Sequence, residues 1–108
     1  MIVASLNDIR EVAASVAEKF HPSRIILFGS HASQTHREDS DVDLLVVMPH
    51  KGPAAKSAAA IRESVRLPFP CDLLVRSPEK LEERLSLGDP FIRNVVLNGK
   101  VLYESARS

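Results

Sequence analysis

The sequence predicts an α/β fold, a small mixed β-sheet with helices packed mainly on one face. Three observations predict it. Helical and strand periodicities alternate along the 108 residues in the order α-β-α-β-α-β-α-α-β. The longer helices open on Ser, Asp or Pro start signals. No repeat, low-complexity tract or linker interrupts the pattern, so residues 1–108 are expected to form one domain. A chain of this length can bury roughly two-thirds of its unfolded surface in one core.

In chain order, Ile9, Val12, Ala13, Val16, Ala17 and Phe20 follow the i, i+3, i+4 rule. They predict an amphipathic helix entered near Ser5 or Asn7 and stopped at His21-Pro22. Arg24 to Phe28 is a first strand, and the polar stretch from His31 to Ser40 begins as a short helix and then loops out. A second strand runs from Val42 to about Met48 and ends at Pro49. Pro53 is placed to start a helix over Ala54–Arg66, with Ala54, Ala58, Ile61 and Val65 on one stripe. Leu67-Pro68-Phe69-Pro70 forbids helix and leads into a third strand, Cys71 to Val75. Ser77-Pro78 and Asp89-Pro90 each open a further helix. Asn98-Gly99 then turns the chain into a last strand, Lys100 to Tyr103.

Composition excludes several classes. Apolar content of 44% and charged content of 26% are ordinary globular values. Lys and Arg balance Asp and Glu at 14 each, and no basic block appears, so direct nucleic-acid binding is not expected. Cys71 has no cysteine to pair with, which fits a reducing compartment, and it reads as a small core hydrophobe. No run approaches the ~20 apolar residues of a membrane span, and the N-terminus lacks a signal-peptide pattern. A cytoplasmic protein without membrane attachment is the expectation.

The chemistry concentrates between Leu27 and Val47. The first strand ends abruptly at Gly29-Ser30, and the second opens with Asp41-Val42-Asp43. Side chains two apart in a strand project together, so Asp41 and Asp43 share a face with Val42 buried opposite. Paired carboxylates repel unless a cation lies between them, and hard oxygen ligands of this kind suit Mg²⁺. Gly29 permits close approach of backbone to a ligand, and Ser30 can cap a helix whose N–H groups favour phosphate. Together they read as nucleoside triphosphate chemistry. The Gly-Lys-Ser/Thr ending of a P-loop is absent.

Gly29-Ser30, a spacer, then Asp-x-Asp and an apolar run resembles the signature of the polymerase-β-like nucleotidyltransferases. The form GSHAS…DSDVDLLVV is most similar to the minimal nucleotidyltransferases, or MNT proteins. The resemblance covers about residues 9 to 76 and implies that family's core topology. It also implies a third acidic ligand from a neighbouring strand, and Asp72 stands at the matching position. Asp41, Asp43 and Asp72 would then be catalytic and hold a two-ion Mg²⁺ site, with ATP or another nucleoside triphosphate as substrate. Ser30, with Gly29 and nearby backbone N–H groups, would hold the β- and γ-phosphates, and Arg37 is a further candidate phosphate contact. Family members often read G-S-x-A-R-G, whereas here Ser33 replaces the arginine and Gln34 the second glycine. Neither change touches a metal ligand.

The expected reaction is transfer of a nucleoside monophosphate, AMP in the first instance, to a hydroxyl. Only residues 73–108 follow Asp72, too few for a separate acceptor domain. The acceptor site must come from a partner chain, a dimer mate or the acceptor itself. The resemblance implies an antitoxin paired with a helical HEPN toxin and modifying a toxin tyrosine with AMP. Two alternatives remain at this stage: a catalytically weak protein that neutralises its partner by binding, and a small-molecule nucleotidyltransferase. His31, His36 and His50 lie scattered in polar loops without ligand spacing. Tyr103 reads as packing, or if exposed as a self-modification acceptor.

Overall fold

In the computed structural model, residues 4–33, 35 and 41–105 are described. The elements follow the expected order: α1 (Leu6–Phe20), β1 (Arg24–Phe28), α2 (Ser30–Ser33), β2 (Val42–Val47), α3 (Ala54–Ser64), β3 (Cys71–Arg76), α4 (Pro78–Ser86), α5 (Pro90–Asn98) and β4 (Lys100–Glu104). Start signals act through hydrogen bonds. Ser5 caps α1 in a capping box with Asp8, Ser77 accepts from the Lys80 N–H, and Asp89 accepts from the Phe91 and Ile92 N–H groups. α3 stops at Ser64, two residues short of Arg66, because Val65 is already extended on its way into the Pro68–Pro70 segment.

The sheet order is β3-β2-β1-β4. β1 pairs antiparallel with β2 and β4, and β2 pairs parallel with β3 through the α3 crossover. Alternation splits each strand between two layers. Ile25, Leu27, Val42, Leu44, Val46, Leu73 and Val75 face α1 and α3, where they meet Ile9, Val12, Val16 and Ile61 in the larger core. Ile26, Leu45 and Val47 face the other way and are covered by Leu81 of α4 and by Ile92 and Val95 of α5. The second face is therefore also covered, by a smaller cluster. Each fully buried aliphatic side chain contributes about 1.5–3 kcal/mol of transfer free energy. None of the described helices is long and apolar enough to cross a membrane.

Candidate active site

The face under α4 and α5 carries the carboxylates. Val42 is fully buried toward α1, so Asp43 projects with Leu45 and Val47. β2 and β3 run parallel in the register Asp43↔Asp72, so the two aspartates stand side by side on that face. Two contacts outside the ladder hold this register. The Val42 N–H donates to the Pro70 carbonyl at 2.9 Å, and the Arg62 guanidinium of α3 donates to the Cys71 carbonyl. Asp43 is half-buried and Asp72 is exposed.

Asp41 stands one residue before β2 and is exposed. Outside the ladder, its side chain is not fixed by the sheet as those of Asp43 and Asp72 are. Among the described residues no three Asp, Glu, His or Cys side chains are gathered into a ready-made metal site. The structure brings Asp43 and Asp72 together and leaves Asp41 at their edge.

Asp43 is also the partner of Phe28 in the β1–β2 ladder, which places it under the Gly29 turn. Gly29 has φ of 76°, in the left-handed region, and a Cβ there would collide with Asp43 Oδ2. Only glycine lets the turn close over this carboxyl. The turn continues into α2, where the Ala32 and Ser33 N–H groups donate to the Gly29 carbonyl at 3.1 and 3.2 Å. Ser33, in the position of the family's arginine, turns its hydroxyl back toward the Gly29 and Ser30 carbonyls and Thr35.

The electrostatics follow from this crowding. Burial holds the Asp43 carboxyl above its ordinary range, and so do the Asp72 charge, a hydrogen bond between the two carboxyls and the Asp41 charge. His31 acts in the opposite direction. His31 is the feature that sequence reasoning missed. It is 7% exposed and lies within electrostatic reach of Asp43. Its place directly behind the Gly-Ser turn was the available signal, since a one-turn helix closing onto a sheet must tuck one side chain inward.

The remaining candidates separate cleanly. Cys71 points to the α1–α3 core, where burial pushes its thiol up to about 12. It is a core residue rather than a nucleophile. Ser30 is half-buried at the start of α2. Arg37, Gln34 and His36 lie outside the described residues. His50 lines a different cavity, with Arg76 and Lys80.

A mixed sheet bearing adjacent aspartates, one of them beneath a glycine-serine turn, is the arrangement expected of proteins that carry out phosphoryl chemistry on a nucleotide. The comparisons with known proteins narrow it. The nucleotidyltransferase domain family matches residues 9–103, and the chain belongs to that family. No curated protein sequence matches it. Among solved structures, the chain is similar to a candidate nucleotidyltransferase from Sulfolobus solfataricus, with a TM-score of 0.64 and 16% identity, covering 93% of this chain and 80% of that one. It is also similar to a toxin–antitoxin complex with AMP-PNP, with a TM-score of 0.53 and 21% identity over 91% of this chain and 75% of the other. A mutant of the toxin–antitoxin MntA–HpeT gives a TM-score of 0.52 at 22% identity, covering 90% and 73%. These likenesses establish the fold.

Proposed function

We propose that this chain is a minimal nucleotidyltransferase domain, residues 1–108, which moves AMP from ATP to a hydroxyl on a partner protein. The partner is a helical HEPN-type toxin, the hydroxyl belongs to a tyrosine, and the chain acts in the cytoplasm as an antitoxin. The observation that carries this reading is the Asp43–Asp72 pair, with Asp43 directly beneath Gly29. Structural likeness to a toxin–antitoxin complex with AMP-PNP supports the choice of partner and nucleotide.

Two adjacent carboxylates fit a hard divalent ion, since Mg²⁺ is commonly held by one or two carboxylates and substrate phosphates. Asp43 and Asp72 would hold it, with Asp41 as a further ligand from the edge. When bound, Mg²⁺ supplies positive charge that offsets the developing charge on the phosphates.

The chain's own residues do the rest. Ser30 and the backbone of the Gly29 turn hold the β- and γ-phosphates, assisted by Arg37, and so orient the α-phosphorus over Asp43. Asp72, exposed beside it, accepts the proton of the incoming hydroxyl. The oxygen–phosphorus bond to the acceptor forms as the bond to pyrophosphate breaks. Labelled ATP with Mg²⁺ and the cognate partner should put label on the partner, and Asp43→Asn should abolish it. Full labelling by Asp43→Asn would refute this reading.

One observation favours a second reading, a binding antitoxin with little catalysis. Ser33 offers the loop no cation and spends its hydroxyl on local carbonyls. Wild type that never labels the partner yet blocks its toxicity by tight binding would select that reading.

A further inference from the structure

We propose that two copies of this chain pair through the open edge of β3, so that Arg76 of each copy stands opposite Asp72 of the other. The sheet order leaves β3 at one edge and β4 at the other. An edge strand offers a row of main-chain donors and acceptors to a further strand. The β4 edge is irregular, because its register against β1 shifts between Ile25 and Ile26, and such bulges blunt strand addition. β3, in contrast, pairs with β2 without a break from Cys71 to Arg76.

The ladder fixes which groups face outward. The Val42 N–H donates to the Pro70 carbonyl and the Met48 N–H to the Arg76 carbonyl, both at 2.9 Å. Pro70, Asp72, Leu74 and Arg76 therefore turn their main-chain groups to β2, and Cys71, Leu73 and Val75 turn theirs to the open edge. Two guanidiniums sit on that edge: Arg62 donates to the Cys71 carbonyl, and Arg76 donates to the Val75 carbonyl at 2.9 Å. Among the described residues no hydrogen bond reaches the Leu73 N–H and C=O or the Val75 N–H. A cavity of about 310 Å³ runs along the edge, bounded on the helix side by residues of α3 that include Ala55 and Ala59. Both alanines are exposed, and their methyl groups leave the edge open to a strand.

The strand CDLLVR complements itself when run antiparallel. With Leu74 opposite the second copy's Leu74, the outward-facing Leu73 meets the second copy's outward-facing Val75, and each such pair exchanges two main-chain bonds. The same register sets Asp72 opposite the second copy's Arg76, twice by symmetry. Directly opposed side chains have Cβ atoms about 4.5–5.5 Å apart, close enough for an ion pair. Moving the two-fold axis to Leu73 would set Arg76 opposite Pro70 and forfeit both pairs.

Arg76 exchanges one partner for another in this arrangement. It releases the Val75 carbonyl to the second copy's Leu73 N–H and takes that copy's Asp72 carboxylate. Within one chain Asp72 and Arg76 are four residues apart on β3, about 13 Å by strand rise, so the cation comes to the carboxylate pair from the second copy. The free main-chain groups would accept any strand. Opposite charges at the two ends of β3 select a second copy of the same chain.

Sedimentation equilibrium of the full chain, without nucleotide or metal, should show a dimer. Arg76→Asp sets like charges opposite each other at two symmetric places and should weaken association roughly tenfold or more. Asp72→Arg alone should do the same, and the two changes together should restore the dimer. Leu74→Cys gives a readout independent of charge. Mild oxidation should join it into a covalent dimer, because the two residues face each other across the axis within disulfide reach. Leu102→Cys on β4 should not cross-link. A monomeric wild type overturns the inference and leaves the edge to a strand from another protein. A dimer indifferent to Arg76→Asp, with no cross-link at Leu74→Cys, overturns it too and puts the interface elsewhere. Neither result touches the nucleotidyltransferase reading, since no nucleotide is present.

Discussion

Gly29→Ala is the substitution whose cost the structure resolves best. An L-residue at φ of 76° carries a left-handed penalty, roughly 1–2 kcal/mol. Its Cβ would also meet the Asp43 carboxyl, with Cγ 3.3 Å away and Oδ2 closer still. Turning that carboxyl off its rotamer adds roughly 0.5–1.5 kcal/mol. In an Asp43→Ala background the second contribution disappears, because Asp43 Cβ lies 3.6 Å away, in ordinary contact. Urea unfolding of the wild type, both single variants and the double variant completes a thermodynamic cycle. The expected coupling is about 0.5–1.5 kcal/mol, with Gly29→Ala less costly when Asp43 is already gone. Equal cost in both backgrounds would mean that the carboxyl does not lie beneath the turn. The phosphate-to-metal geometry proposed from Gly29 would then have no basis.

Two further expectations concern stability. Asp43 holds its proton more tightly in the folded state than at its ordinary value of 3.8. The stability it contributes is therefore fully present below that value and is lost as pH rises through the raised folded value. Without metal, Asp43→Asn should be as stable as or more stable than wild type at pH 7. The difference should vanish in acid, as thermal melts across pH would read, and an advantage that grows in acid would contradict the electrostatic account. Leu45→Ala, in contrast, removes a fully buried side chain from the layer under α4 and α5 and should cost on the order of 2–5 kcal/mol by urea unfolding. A loss below 1 kcal/mol would show that this layer is loosely packed.

The strands were legible in the sequence because each is a short apolar run bounded by Gly, Pro or Asp. The longer helices were legible because Ser5, Ser77 and Asp89 act where cap signals predict. Adjacency of Asp43 and Asp72 was not carried by periodicity. Periodicity fixes a residue's face within its own strand, whereas register between parallel strands depends on the crossover and on contacts such as Val42 N–H to Pro70. The family resemblance pointed to Asp72. The second layer is the smaller one because α4, PEKLEERLS, is mostly charged and buries a single residue, Leu81. Asp41 looked equivalent to Asp43 from its spacing alone, yet the ladder begins at Val42 and holds only the second of the pair.

Placement of the aspartates also bears on where an acceptor comes from. Tyr103 is the chain's one tyrosine. It lies in β4 opposite Ile25 and packs against the larger core, on the α1 and α3 side of the sheet. Asp43 and Asp72 project from the other side, toward α4 and α5. A phenolic oxygen on one face cannot attack a phosphorus held on the other without unpairing the sheet between them. With the nucleotide placed over Asp43 and Asp72 as proposed, Tyr103 of the same chain is on the wrong side of the sheet to be the acceptor. If the acceptor is a tyrosine, it arrives on another molecule, and it approaches from the solvent side of Asp72, the exposed member of the pair. That division suits the proposed two-substrate transfer, in which the half-buried carboxylate would stay under the Gly29 turn while the exposed one would meet the incoming hydroxyl.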